Sequence, residues 1–458
     1  MPQNTFTLIE KITVGAAGAS SITFTSIPQT YTDLKVVASA RNTGNGSGQY
    51  LTFNGSSTSY SAKRLIANNG STATSHNGGT TNIFLLAVDT RATANSFGSA
   101  EFYIPNYTSS NNKSVSLDSV NEENGNSYAY DEISAGLWSN SAAITSITLT
   151  PEAGNFAQYS SFSLYGIAKE GVSPSPSSAP AATGGDRILF DGTYWYHVFT
   201  STGTFTPKKN LSCDYLVVAG GGGSGGGTSG GGGAGGARST VTSTGRGGSL
   251  ESPLSLTAST NYTVTIGAGG TAGIADGSSG GNGSNSVFST ITSTGGGGGI
   301  HGSTGLSGGS GGGAGYGPNV EAGGAGTTGQ GYDGGSCTAN GNPYYTGAGG
   351  GGAGAAGTSV VTSYTGGAGG NGIWTALTNA VSMGQLSGGN YYVGGGGAGG
   401  NGSGTVSGGL GGGGSSTDNT NGVAGTVNTG GGAGGPGTDG TKSGATGGSG
   451  IVIARYAA

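Results

Sequence analysis

Apolar positions along this chain follow two different rules, and the change falls between residues 170 and 184. Over the first 170 residues apolar and polar side chains alternate at a period of two. Leu34, Val36 and Ala38 alternate with Lys35 and Val37, Ile147 and Leu149 with Ser146 and Thr148, and Phe162, Leu164 and Gly166 with Ser163 and Tyr165. That period places every second side chain on one face of a strand. It predicts strands near 6–14, 20–27, 33–41, 50–54, 62–67, 82–90, 97–104, 113–121, 128–138, 144–150 and 160–168. Turn clusters such as Gly44-Asn45-Gly46-Ser47-Gly48 separate them. Many short strands without helical periodicity predict a jelly-roll-like β-sandwich over residues 1–170. The tract Gly171–Ala182, rich in Pro, Ser and Ala, reads as a semi-extended linker over 171–183.

The second rule is glycine. Of 107 glycines, 88 lie from Leu211 onward, in pairs and runs such as Gly220–Gly223, Gly295–Gly299 and Gly394–Gly397. Ordinary domains carry about 7% glycine. Disorder is favoured by high net charge and few apolar anchors, but this half holds four Lys/Arg and seven Asp/Glu, with recurring clusters such as Tyr215-Leu216-Val217-Val218 and Ile451-Val452-Ile453. Collagen needs glycine at every third residue and abundant proline; the spacing here is irregular and the chain has 12 Pro. The remaining reading is a packed bundle of glycine threads in the polyproline II conformation. Such a thread has three residues per turn and no internal hydrogen bonds. Without side chains, neighbours approach closely enough to bond one another, which satisfies the buried backbone. Inner threads must then be nearly pure glycine, while outer ones carry Ala, Ser or Asn on the side facing out. The aromatic and β-branched segments Tyr194–Phe199, Thr204–Thr206, Asp214–Val218, Asn261–Ile266 and Ile451–Tyr456 predict a strand frame for this block. The expected architecture is all-β: the β-sandwich, then a glycine-rich polyglycine II sandwich with a β-strand frame over 184–458.

The ordered anchors of this half carry a resemblance. Gly203-Thr204-Phe205-Thr206 is followed by Tyr215-Leu216-Val217-Val218-Ala219-Gly220-Gly221 and by Tyr262-Thr263-Val264-Thr265-Ile266-Gly267-Ala268-Gly269-Gly270. After many GG blocks the chain ends in Gly450-Ile451-Val452-Ile453-Ala454-Arg455-Tyr456. This order resembles the glycine-rich domain of bacteriophage tail-fibre and virion proteins, across roughly residues 184–458. A related architecture occurs in the tail-fibre tip adhesins of T-even-like phages; there it implies a sandwich of polyglycine II helices whose connecting loops carry receptor specificity. The front half departs from those adhesins.

Charge and chemistry narrow the function. Net charge is −5; a nucleic-acid binder would carry a basic stripe, and none is present. The start, Met1-Pro2-Gln3-Asn4-Thr5, lacks the basic and apolar stretches of a signal peptide, and no apolar run is long enough to span a membrane. The expectation is a virion protein assembled in the host cytoplasm, with no membrane insertion and no nucleic-acid partner. In a reducing compartment, Cys213 and Cys337 are expected to remain thiols.

His76, His197 and His301 are far apart and lack any metal-binding motif, so no metal is expected. Asp131 and Glu132 neighbour Tyr128 and Tyr130, yet adjacent strand residues face opposite ways; the pair is a poor acid–base dyad, as are Glu122 and Glu123. Gly434–Asp439 imitates one calcium-binding nonapeptide start but is not in tandem. The chain is therefore expected not to be an enzyme, with no catalytic residues and no cofactor.

Aromatic residues that interrupt the glycine runs are the candidate contacts: Tyr332, Tyr344, Tyr345, Tyr364, Trp374, Tyr391 and Tyr392, with the longest interruption at Ile373–Val393. Tyr and Trp among Ser, Gly and Asn make paratope-like surfaces; packing against the lattice edge or a neighbouring subunit is the alternative. The resemblance implies a tail-fibre or receptor-binding adhesin for host attachment, homotrimeric, bound to other tail or capsid proteins and to a host polysaccharide or outer-membrane protein. The alternative is a capsid decoration or head-fibre protein without receptor binding.

Overall fold

A computed structural model of the chain describes residues 6–68, 74–77, 80–121, 129–167, 180–274, 277–317, 319–337, 346–361, 364–437 and 441–458. The chain forms two compact units, one of Met1–Pro180 with Asp186–Trp195 and Ala458, the other of Ala181–Gly185 with Tyr196–Ala457. The partition differs from the expected 1–170, 171–183 and 184–458. Ala182–Thr183 is already a strand of the second unit, paired with Thr206–Pro207. Arg187–Phe190 pairs instead with the first strand of the first unit, where Arg187 meets the buried carboxylate of Glu10.

The first unit is all-β. Its strands are β1 (Phe6–Thr13), β2 (Ile22–Phe24), β3 (Asp33–Ala40), β4 (Gly48–Phe53), β5 (Tyr60–Asn68), β6 (Thr74–Asn77), β7 (Ile83–Leu86), β8 (Gly98–Ile104), β9 (Lys113–Asn121), β10 (Tyr130–Trp138), β11 (Ile147–Pro151) and β12 (Ser161–Ile167). One sheet runs β1-β12-β3-β8-β9-β10-β5-β6 and the other β2-β11-β4-β7. The leading strands β1-β12-β3-β8 and the sheet β2-β11-β4-β7 have the strand order of a jelly roll. β5 with β6, and β9 with β10, are two inserted pairs that widen the first sheet.

The period-two alternation survives in the burial. β8 and β9 alternate buried and exposed positions without a break. Phe24, Leu51, Phe53, Ile147 and Leu149 from one sheet meet Leu34, Val36, Phe102, Trp138, Phe162 and Leu164 from the other in one core. Trp138 lies 5.7 Å from the Phe53 ring and stacks on Tyr60 at 6.2 Å. Asp131 faces solvent while Glu132 is buried, as adjacent strand positions must be. The Glu132 carboxylate accepts two hydrogen bonds from Arg64, both at 2.7 Å, and the Arg64 guanidinium sits 4.0 Å over the Phe84 ring. Burial of this acid is therefore compensated by a paired, bidentate cation.

The second unit consists of extended threads held by a strand frame. Each thread sends successive N–H groups to different neighbours in a repeat of three. In 230–236, Gly230, Gly233 and Gly236 donate to Ile300, Gly297 and Thr294. Gly231 and Ala234 donate to Ala348 and Gly351, and Gly232 and Gly235 to Ala433 and Gly430, all at 2.7–3.0 Å. The same thread accepts from Gly222, from Ser310 and Gly313, and from Gly397, so six neighbours enclose it. Threads 220–224 and 347–353 are enclosed in the same way. The backbone of these segments is buried yet paired.

A methyl does not fit inside. A Cβ on Gly222 would stand 2.1 Å from the Gly297 carbonyl oxygen, and one on Gly350 2.1 Å from that of Gly232. Outer threads relax the rule on one side. In 267–274, Gly267, Gly270 and Gly273 are buried while Ala268, Thr271 and Ile274 are exposed. Where an outer neighbour falls short, side-chain amides complete the pattern: Gly295 and Gly298 donate to Asn285 and Asn282, three residues apart.

The frame closes the unit on itself. Leu211–Val218 and Ile451–Ala457 pair antiparallel, from Asp214 opposite Arg455 to Val218 opposite Ile451, and an Asp214–Arg455 ion pair crosses them. Both strands continue directly into threads. Beside them His197 is fully buried, bonded to the Gly184 carbonyl at 2.6 Å and to the Tyr456 hydroxyl at 2.9 Å. Phe205 packs edge-on at 5.1 Å. Trp195 and Phe205 are fully buried, as their strand positions predict.

Candidate functional site

The bonding register gives the second unit two ends. At one end lie the strands Leu211–Val218, Ala237–Ser239, Ser286–Phe288, Ile291–Ser293 and Ile451–Ala457, from which threads leave or to which they return. At the other, threads reverse through links such as 225–229, 301–304, 401–406 and 415–421. We call these the strand end and the link end.

The candidate aromatics divide between them. Ile373–Val393 emerges at the strand end and is a folded excursion. Ile373–Trp374, Gln385–Ser387 and Asn390–Val393 form a three-stranded sheet around α1 (Ala376–Val381). Thr375 and Thr378 form a reciprocal capping box at the start of α1, and Leu377, Thr378 and Val381 are buried. Trp374 stands directly opposite Tyr392, and both are half-buried on one face. Tyr391, half-buried, faces the other way, opposite Leu386. The Ser243 hydroxyl donates to the Trp374 carbonyl, and Asn379 accepts from the Tyr391 amide.

Tyr332 is also near the strand end. Its ring lies 5.6 Å from the Arg246 guanidinium, which holds Asp333 through bonds of 2.7 and 3.1 Å. That pair and the Gly326 amide keep the Asp333 carboxyl below the usual carboxylate range. Arg246 takes a left-handed φ of 53°, a conformation that costs a non-glycine residue about 1 kcal/mol or more and is fixed here by its contacts. Arg246 was not among the expected residues, and its only sequence signal is the isolated cation in a glycine tract.

Tyr364 is at the link end and 58% exposed, close in sequence to Val361 at 62%. Tyr344 and Tyr345 lie outside the described residues; Cys337 and Thr346, on either side of that stretch, are at the link end. Tyr316 is half-buried there, with its amide bonded to the Thr228 carbonyl. The five expected contacts among the described residues thus lie at both ends. The link end places Tyr316 and Tyr364 beside stretches rich in Ser, Thr and Asn, such as Ser415-Ser416-Thr417-Asp418-Asn419-Thr420-Asn421.

Elsewhere the chemistry is sparse. Among the described residues no three His, Cys, Asp or Glu stand close enough to hold a metal ion, and no helix is long and apolar enough to cross a membrane. His76 lies on β6, paired with Arg64 of β5. His301 is half-buried at the link end, bridged to Ser229. Both cysteines are buried and not joined to each other, and burial pushes the Cys213 thiol up to about 12. The nonapeptide-like Gly434–Asp439 ends in residues outside the described set, as do Glu122, Glu123 and Tyr128.

The model of the glycine-rich domain family matches residues 200–457. The chain belongs to the glycine-rich domain family. In this chain the matched span begins at the strands before the first thread and ends on the last frame strand. Neither the curated proteins nor the solved structures contain a match to the chain.

Proposed function

We propose that the protein is a bacteriophage tail-fibre or receptor-binding adhesin whose threads are polyglycine II helices. The three-residue bonding rhythm supports that helix type, which has three residues per turn. The glycine-rich domain acts as a rigid block that presents its links to a host surface, and the jelly roll attaches to the particle. The observation that carries this reading is the gathering of Tyr-, Ser-, Thr- and Asn-containing links at one end of a hydrogen-bonded lattice. Such residues offer large amphipathic contacts and adaptable hydrogen bonds at low entropic cost. A host polysaccharide fits them best, with sugar faces on tyrosine rings and hydroxyls on the polar links. No catalysis is required.

The division of aromatics sharpens the expectation. Binding belongs to the link end, and the strand-end aromatics serve packing. Tyr364→Ala is expected to weaken binding of the purified chain to its cognate bacterial envelope polysaccharide about ten-fold, the usual scale for a contact aromatic. Trp374→Ala is expected to lower stability with binding unchanged. Titration of both variants against a panel of envelope polysaccharides checks this. Loss of binding in Trp374→Ala alone would reverse the assignment, and absence of binding to any envelope, with immunogold label on the capsid, would favour decoration.

A further inference from the structure

The outward face of the large sheet in the first unit is built as half of an interface, and we propose that it docks a second copy of this chain about a two-fold axis. On that face β1, β12, β3, β8, β9, β10 and β5 lie side by side. A solvated sheet face carries polar residues at alternate positions. Here Phe6, Val37, Leu65, Val120 and Ile133 are 48%, 38%, 49%, 37% and 63% exposed, and Leu65 and Ile133 are direct cross-strand partners. Shallow hollows of 170, 220 and 230 Å³ lie on the same face, lined in part by Ile133, Phe6 and Leu65. Apolar patches rimmed by polar residues mark association sites.

The charges say what associates. Lys11 on β1 and Lys35 on β3 occupy one half of the face; Glu101 on β8, Asp118 on β9 and Asp131 on β10 occupy the other. Glu101 and Asp118 stand directly opposite each other on paired strands, and like charges so placed weaken a sheet. Asp131 is a diagonal neighbour of Asp118 across the next pair. Lys35 reaches Glu101 at 2.9 Å. At the margins are Lys63 on β5 and Asp33 at the start of β3, whose carboxylate accepts bonds from the Tyr103 hydroxyl and the Asn106 amide.

A face with one basic and one acidic half is self-complementary under two-fold rotation. An axis between β3 and β8 lays β3 and β1 of one copy over β8 and β10 of the other. The six strands so opposed, at about 4.8 Å spacing and each about seven residues long, cover roughly 650 Å², of the order of the ~800 Å² that each partner brings to a stable interface. A three-fold ring would instead join two different patches and leave this complementarity unused.

Sedimentation of the full chain tests the arrangement. The wild type is expected to sediment as a dimer at micromolar concentration. One charge-swapped chain carries Lys11→Glu and Lys35→Glu, and another carries Glu101→Lys, Asp118→Lys and Asp131→Lys. Each alone is expected to be monomeric, with a thermal midpoint showing that it is folded. Mixed, they are expected to form a one-to-one heterodimer, because both halves are again opposed in sign. If the triple variant fails to fold, Ile133→Ser gives a milder reading, with a dissociation constant raised roughly ten-fold or more. A monomeric wild type, a trimer, or an assembly indifferent to the swaps would overturn the proposal.

Discussion

Gly232→Ala prevents the glycine-rich domain from folding stably, whereas Gly203→Ala leaves it intact. The two substitutions add the same methyl to the same residue type. At 232 the new Cβ would stand 2.1 Å from the Gly222 carbonyl oxygen and 3.0 Å from the Ala433 nitrogen. Both obstacles are backbone atoms of other threads. Ordinary overpacking costs about 1–3 kcal/mol because side chains shift to absorb it. Here the Gly222 oxygen accepts from Ala433, and the Gly232 amide donates to Ala433. Moving either thread breaks bonds of buried groups, each worth about 1–3 kcal/mol when left unmet. The expected loss therefore exceeds about 3 kcal/mol. At 203 the nearest atoms are those of the Phe199 ring at 3.6 Å, an ordinary contact, and the change stays within about 0.5 kcal/mol. Denaturant unfolding of the two variants checks this. Equal stability would mean that the threads are not in contact through their backbones.

Acid weakens the frame through His197. Burial holds this imidazole down to about 4, from an ordinary value of 6.5, although the Gly184 carbonyl pulls the other way. Between those values the unfolded chain takes up a proton that the folded chain refuses. Stability is then complete above pH 6.5 and falls as pH drops toward 4. A shift of this size corresponds to roughly 3 kcal/mol. The effect is large because His197 joins the start of the unit, at Gly184, to its last strand, at Tyr456. Unfolding midpoints of the wild type and of His197→Gln at pH 7 and pH 4.5 isolate this contribution. The variant is expected to be less stable at pH 7 and to lose much less on acidification. Parallel losses in both proteins would assign the acid sensitivity to other groups.

Much of the fold was legible because two elementary periods govern it. Period-two alternation located β1 to β5 and β7 to β12 to within a few residues. β6 was missed because Thr74–Asn77 carries no apolar alternation, and its pairing with β5 comes from tertiary context. Arg187–Phe190, which follows the expected boundary, pairs with β1, and strand propensity says nothing about which sheet a strand joins. The frame was legible from its apolar runs, and the Ala, Ser or Asn of outer threads from the need to face out, whereas the three-residue spacing of Asn282 and Asn285 emerged only from the bonding between threads. The candidate site was less legible. Aromatic residues mark where a glycine thread is interrupted, but which end of the lattice the interruption reaches depends on how many threads precede it. Tyr364 and Trp374 are ten residues apart in the sequence, with thread 366–372 running between them from link end to strand end. Helix α1 did have a local signature: Thr375 and Thr378 in capping positions, with Leu377 and Val381 one turn apart.

Glycine threads locked by their neighbours' carbonyls hold the domain together, and hydrogen exchange of the native protein reads that directly. Amides across 230–236 and 347–353 are expected to exchange as slowly as those of the strand Leu211–Val218, since all of them open only when the domain unfolds. Exchange of those two threads at the rate of a random peptide, while Leu211–Val218 stays protected, would contradict it.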